Sequence, residues 1–234
     1  MSAITVTTPT TDATRGVTAG GVLRSEWLKL VTLRSTFWTT VVALVLAAGI
    51  ALLAGAFLKA GPAGTGGDLV LVGSTASLSF VALVVGVLGV LSIGGEYATL
   101  QIRSSYTAVP RRWPALVAKA VVVGAWSFVL GLVVTFGSFA ILAGFFGAQG
   151  IEVSLDGDAV GALLGGASYL AIVGVFAVGL GALVRASAAG ITILAAVLFV
   201  APIILGLLAR LTGADWASTA GDYLLSATGG VLFA

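Results

Sequence analysis

Residues 37–58 read FWTTVVALVLAAGIALLAGAFL, 22 positions without a charge. A helix needs about 20 apolar residues to cross a hydrocarbon core of about 30 Å. This stretch is long enough, and Lys59 followed by the Gly- and Pro-rich KAGPAGTGGD stops it. That loop superficially resembles a phosphate-binding loop, but it lacks the Lys-Ser/Thr pair that grips phosphate and Mg²⁺, and it reads as a turn. Four further apolar runs follow, at 69–93, 115–147, 159–184 and 191–209. The chain therefore reads as an all-α integral membrane protein, a polytopic helical bundle with five visible spans.

The totals agree. Of 234 residues, 59% are hydrophobic and 9% charged. A soluble domain carries roughly 25% charged residues, enough to cover its surface. Cys and His are absent, which removes disulfides, Cys/His metal sites and thiol or imidazole catalysis. The spans as bounded above hold no Asp, Glu, His or Arg, and Lys119 sits in the first turn of the third, where it reads as reaching for headgroups. Buried ionisable residues commonly mark ion or proton pathways. Their absence argues against a proton- or sodium-coupled pump. The spacing in Asp156-Gly157-Asp158 lacks the remaining ligands of a calcium loop, so no metal site is expected.

Working outward to the N-terminus, residues 1–21 are Thr-rich and lack the apolar core of a signal peptide; a disordered tail is expected there. The remaining chain, 22–234, reads as one transmembrane domain. Val22 to Arg34, VLRSEWLKLVTLR, is too short and too charged to span. Leu23, Trp27, Leu30 and Val31 form one helical stripe, and Arg24, Glu26, Lys29 and Arg34 carry the polar side. Such a helix suits the headgroup region, as a plain juxtamembrane anchor or as an elbow that also touches a partner.

In the second span Ser74, Thr75, Ser77 and Ser79 cluster; hydroxyls there usually bond back to the preceding turn. Gly131, Gly137, Gly144 and Gly147 in the third span and the Gly161/Gly165 pair in the fourth read as packing contacts. Pro202 predicts a kink in the fifth.

The longest polar interruption is Gly94 to Ala115, GGEYATLQIRSSYTAVPRRWPA. Tyr97 to Tyr106 suits two to three helical turns, Pro110 ends them, and Ile102, Tyr106 and Val109 make a short apolar ridge. Read from the residues alone, the segment is either a docking helix or a basic topology signal on a solvated loop. With the N-terminus in the cytoplasm, the inner segments hold Arg15, Arg24, Lys29, Arg34, Arg103, Arg111, Arg112, Lys119 and Arg185; the outer ones hold only Lys59 and Arg210. That bias sets the orientation under the positive-inside rule.

At this loop the chain resembles the permeases of bacterial type-2 ATP-binding cassette (ABC) exporters. The matching residues are Gly95-Glu96-Tyr97, Ile102-Arg103, Ala108-Val109-Pro110-Arg111-Arg112 and Lys119. At the start they are Arg24-Ser25-Glu26-Trp27-Leu28-Lys29-Leu30 and Arg34-Ser35-Thr36. The resemblance implies a coupling helix between spans two and three that contacts a separate ATPase, carried by Glu96, Tyr97, Leu100, Arg103, Tyr106, Pro110, Arg111 and Arg112. It implies an elbow helix bearing Arg24, Glu26, Trp27 and Lys29. Leu100 departs from the common pattern, which has Gly there. The resemblance also implies ATP and Mg²⁺ on the partner and no cofactor on this chain. A second permease copy or relative completes the unit in the bacterial plasma membrane, among lipid and without nucleic acid. Its cargo would be amphiphilic or hydrophobic, such as a drug, an antimicrobial peptide or a lipid-like molecule. The family has six spans, so the sixth is expected beyond Ala234. The competing readings are a membrane anchor or immunity-type interaction protein, and a secondary transporter. Nothing in the residues points to a substrate-binding site.

Overall fold

A computed structural model describes residues 18–57, 66–98, 112–151, 153–212, 215–222 and 224. The tail at 1–17 and most of the loop after span two lie outside them. The described chain is helical: α1 Ala19–Thr32, α2 Arg34–Phe57, α3 Gly66–Thr75, α4 Leu78–Ala98, α5 Arg112–Ala148, α6 Gly157–Val184, α7 Ser187–Ala195, a π-helical turn Ala196–Val200, α8 Ala201–Thr212 and α9 Asp215–Asp222.

Five stretches are long and apolar enough to cross a membrane: Arg34–Phe57, Leu69–Gly95, Ala115–Ala148, Gly157–Val184 and Ser187–Thr212. They coincide with the five predicted runs to within four residues at each end. α3 and α4 together make the second span, broken at Ala76 and Ser77. The break has a local cause. Ser74 Oγ donates to the Leu71 carbonyl at 2.8 Å and Thr75 Oγ1 to the same carbonyl at 3.0 Å. Such back-bonding loads one carbonyl and loosens the helix. Ser77 then supplies the carbonyl for the first turn of α4, accepting from Val81 N–H at 3.0 Å.

α6 is the axis of the bundle, with α4 and α5 packed along it. The small residues at these crossings let backbones approach. A Cβ added at Gly89 of α4 would stand 2.8 Å from the Gly174 carbonyl and from Ala177 Cβ of α6. One added at Gly131 of α5 would stand 2.7 Å from Ala167 Cα. Gly131 is thus a packing contact, as read. Gly137, Gly144, Gly147 and Gly161 instead meet open space. The close-packed face of α6 runs through Gly166, Gly174 and Gly181. Thr135 Oγ1 crosses from α5 to the Leu163 carbonyl of α6 at 3.2 Å.

α2 and the last span are peripheral. Phe37, Trp38, Val45, Leu53 and Phe57 are exposed along α2, and α8 has no buried residue. In a membrane these faces meet acyl chains, for which Leu and Ile are as compatible as for a core. The kink expected at Pro202 takes a specific form. The proline ring collides with the carbonyl four residues back, Leu198. The chain widens there instead of breaking, with Ala201 N–H donating to the Ala196 carbonyl five residues back. At the opposite end of α6, Asp156 caps the helix: its Oδ1 accepts from Ala159 N–H at 2.9 Å. The acidic turn is therefore a helix start.

Candidate functional site

The site is built where α1 meets the N-terminal part of α5. Thr18 caps α1 by accepting from Gly21 N–H at 3.3 Å, and Leu33 turns extended to end it. The corner lets α2 start at once, with Thr36 N–H donating to the Leu33 carbonyl at 3.1 Å. The inward face of α1 is not the predicted stripe. Leu30 is buried, but Leu23, Trp27 and Val31 are exposed, and the other buried residue is Glu26. The acid assigned to the polar side thus faces the bundle.

What draws Glu26 inward is Lys119. Its Nζ donates to Glu26 Oε2 at 2.5 Å, and both residues are nearly buried. This corrects the expectation that Lys119 extends to the headgroups. Lys29 Nζ donates to Glu26 Oε1 at 2.6 Å from one turn along α1, with its side chain about half exposed (45%). Trp27 meets Trp126 edge to face, ring centroids 5.9 Å apart. Leu30 packs with Val122 and Val123. Positions 26, 27 and 30 of one helix thereby engage 119, 122, 123 and 126 of the other, helical spacing on both sides.

Burial works against a charged carboxyl at Glu26. The hydrogen bonds and charges of Lys119 and Lys29 outweigh it and hold the carboxyl below its ordinary value of 4.5. The acid is therefore ionised at neutral pH.

Beside the ion pair lies a cavity of about 550 Å³ between α1, α2, α4 and α5. Glu26, Lys29, Lys119, Ser92 and Thr36 contribute polar groups; Leu88 and Leu91 are among its apolar walls. Thr36 Oγ1 is buried and has no hydrogen-bond partner among the described residues. The helix break at Leu33 explains this, because Thr36 sits in the first turn of α2 and lacks a regular helical turn behind it.

The residues expected to form the coupling helix are only bracketed. Glu96 and Tyr97 belong to the last turn of α4, and Arg112 opens α5; their side chains lie outside what the structure describes. Leu100, Arg103, Tyr106, Pro110 and Arg111 lie outside the described residues altogether. The start of that segment is nevertheless fixed beside the site. Gly95 lines the cavity, and Gly94 abuts Ser187 at the start of α7. Arg24 is exposed on α1, away from the ion pair. No group of three His, Cys, Asp or Glu side chains suited to a metal occurs among the described residues.

Comparison of the chain with family models, with curated proteins and with solved structures gives no match. The reading of function rests on the residues and their arrangement.

Proposed function

We propose that this chain is the permease subunit of an ATP-driven exporter in the bacterial plasma membrane. Hydrolysis takes place on a separate ATP-binding cassette subunit that holds ATP and Mg²⁺. A second copy of this chain or a related permease completes the pathway. The cargo is amphiphilic or hydrophobic, in keeping with spans whose central turns carry no Asp, Glu, His, Lys or Arg. The N-terminus lies in the cytoplasm, α1 is the elbow helix, and residues 94–115 form the coupling segment.

One observation carries this reading: α1 is fastened to the third span by the Glu26–Lys119 pair, at the end of the bundle where residues 94–115 leave and return. A push received by that segment reaches α4 and α5 directly, and α1 moves with α5 through a buried bond. Secondary transport receives no such support, because no Asp, Glu, His, Lys or Arg lies between the end turns of the spans.

The test is reconstitution with a candidate cassette ATPase in vesicles. ATP-dependent movement of an amphiphilic dye is expected. The Glu96→Ala, Arg103→Ala double variant is expected to lower ATP hydrolysis and the stability of the complex. Unchanged assembly and hydrolysis in that variant would remove the segment from the mechanism. Flux without any ATPase would select the secondary-transporter reading.

A further inference from the structure

We propose that the cavity beside Glu26 and Lys119 is a binding site for the headgroup and first methylenes of an anionic phospholipid. The site needs only the membrane-embedded bundle. It stands or fails separately from the ATP-driven reading.

Charge comes first. Among the described residues, the ionisable side chains on the cavity wall are Glu26, Lys29 and Lys119. One carboxylate faces two ammonium groups, so the wall carries a net positive charge even with both lysines engaged by Glu26. The complement of that charge is an anion. Basic pockets between spans at a membrane surface hold the phosphate groups of acidic lipids in this way. Thr36 adds a buried hydroxyl without a partner among the described residues, a donor suited to a phosphate oxygen.

The second observation is the order of the walls with depth. Gly95 and Lys119 lie at the ends of their spans. Moving into the membrane from Gly95 leads to Leu91 and Leu88; moving in from Lys119 leads to Val122 and Val123. Seven residues of helix, from 95 to 88, cover about 10 Å. The cavity is therefore charged near the surface and apolar about 10 Å below it. A phospholipid has that profile, whereas a free phosphate ion would leave the apolar half unfilled. The volume, about 550 Å³, is within the usual range for small-molecule sites, about 300–1,000 Å³. Exposed Phe37 and Trp38, packed edge to face 5.7 Å apart at the start of α2, mark the same level as an aromatic belt would.

The experiment uses the full chain in neutral detergent, titrated with dioctanoyl phosphatidylglycerol and followed by tryptophan fluorescence. Dioctanoyl phosphatidylcholine and inorganic phosphate are the comparison ligands. Saturable binding of the acidic lipid is expected, with the zwitterionic lipid much weaker and phosphate alone without effect. Lys29→Gln is expected to weaken the acidic lipid about fivefold, the value of one basic group near an anionic headgroup. Arg24→Gln removes the same charge from the same helix, outside the cavity, and is expected to leave binding unchanged. Leu91→Trp fills the apolar half with the charges intact and is expected to abolish binding. Equal losses in the two charge variants would reduce the effect to surface attraction and overturn the site. So would equal binding of the two lipids. Competition by phosphate alone would make this an ion site and reject the lipid. Should Leu91→Trp fail to fold, the Lys29 and Arg24 comparison still decides.

Discussion

The carboxylate of Glu26 and the ammonium of Lys119 meet at 2.5 Å across 93 positions of sequence, both nearly closed to water. Breaking a buried pair from one side leaves a charge without compensation and typically costs about 3–5 kcal/mol. The two sides are not equivalent here. Glu26→Ala strips the carboxylate from Lys119, whereas Lys119→Met leaves Glu26 one oxygen still held by Lys29. Thermal unfolding in detergent is expected to show a loss of about 3 kcal/mol for Glu26→Ala and a smaller one for Lys119→Met. The double variant is expected to lose less than the two together, by about 1 kcal/mol or more. Additive losses would mean that the residues do not act as a pair.

The same pair makes stability depend on pH in a known direction. Burial raises the Glu26 carboxyl and the two lysines lower it further, so the folded value lies below the ordinary 4.5. A depressed carboxyl contributes stability that is fully present above the ordinary value and is lost as pH falls through the folded one. The melting temperature of the wild type is therefore expected to stay level down to about pH 5 from this source and to fall below it. Glu26→Gln is expected to lack that component, so the gap between the two proteins narrows in acid. A gap that stays constant from pH 7 to pH 3 would show that Glu26 is not ionised in the fold.

The spans and their limits were legible in the sequence because membrane crossing is a demand on length and polarity, and both are countable. Which face of α1 turns inward was not. The stripe of Leu23, Trp27, Leu30 and Val31 obeys the rule for a soluble amphipathic helix, in which apolar faces seek the core. Against a lipid-facing bundle the apolar side has a second home in the acyl region, and the buried lysine decides instead. The signal was present as a lone Lys119 in an apolar run and a lone Glu26 among basic neighbours. Gly161, one half of the Gly161/Gly165 spacing, meets open space; spacing describes a face of small residues but not which face meets a neighbour. For the basic segment after span two, Glu96 and Arg112 mark where it joins the helices; its interior from Leu100 to Arg111 lies outside the described residues.

Gly131 and Gly137 sit on one helix and separate packing from propensity. An alanine methyl at 131 would stand 2.7 Å from Ala167 Cα and 3.1 Å from its carbonyl oxygen, both backbone atoms that cannot step aside. Gly131→Ala is expected to push α5 from α6 at a cost of about 1–3 kcal/mol. Gly137 has open space where the methyl would go. Gly137→Ala is expected to be neutral or to stabilise by up to about 1 kcal/mol through helix propensity. Unfolding midpoints of the two variants, measured in one detergent, check the contrast.

Pro202 and the π-helical turn at Ala196–Val200 are expected to be cause and effect. With Ala at 202, the clash with the Leu198 carbonyl disappears and a donor N–H returns. The turn can then tighten to ordinary α geometry, in which one residue spans about 100° of rotation. Nothing on α8 resists, because none of its residues is buried. Single cysteines placed in turn from Ile203 to Leu208 report the change through their reactivity toward a lipid-phase maleimide. In the wild-type background the reactive positions should include Ile203 and Leu207, which are exposed. In the Pro202→Ala background the pattern is expected to advance by one residue. An unshifted pattern would mean that the wide turn is held by the packing of Leu198 and Leu194 in the core, where both are buried, and that the proline merely accompanies it.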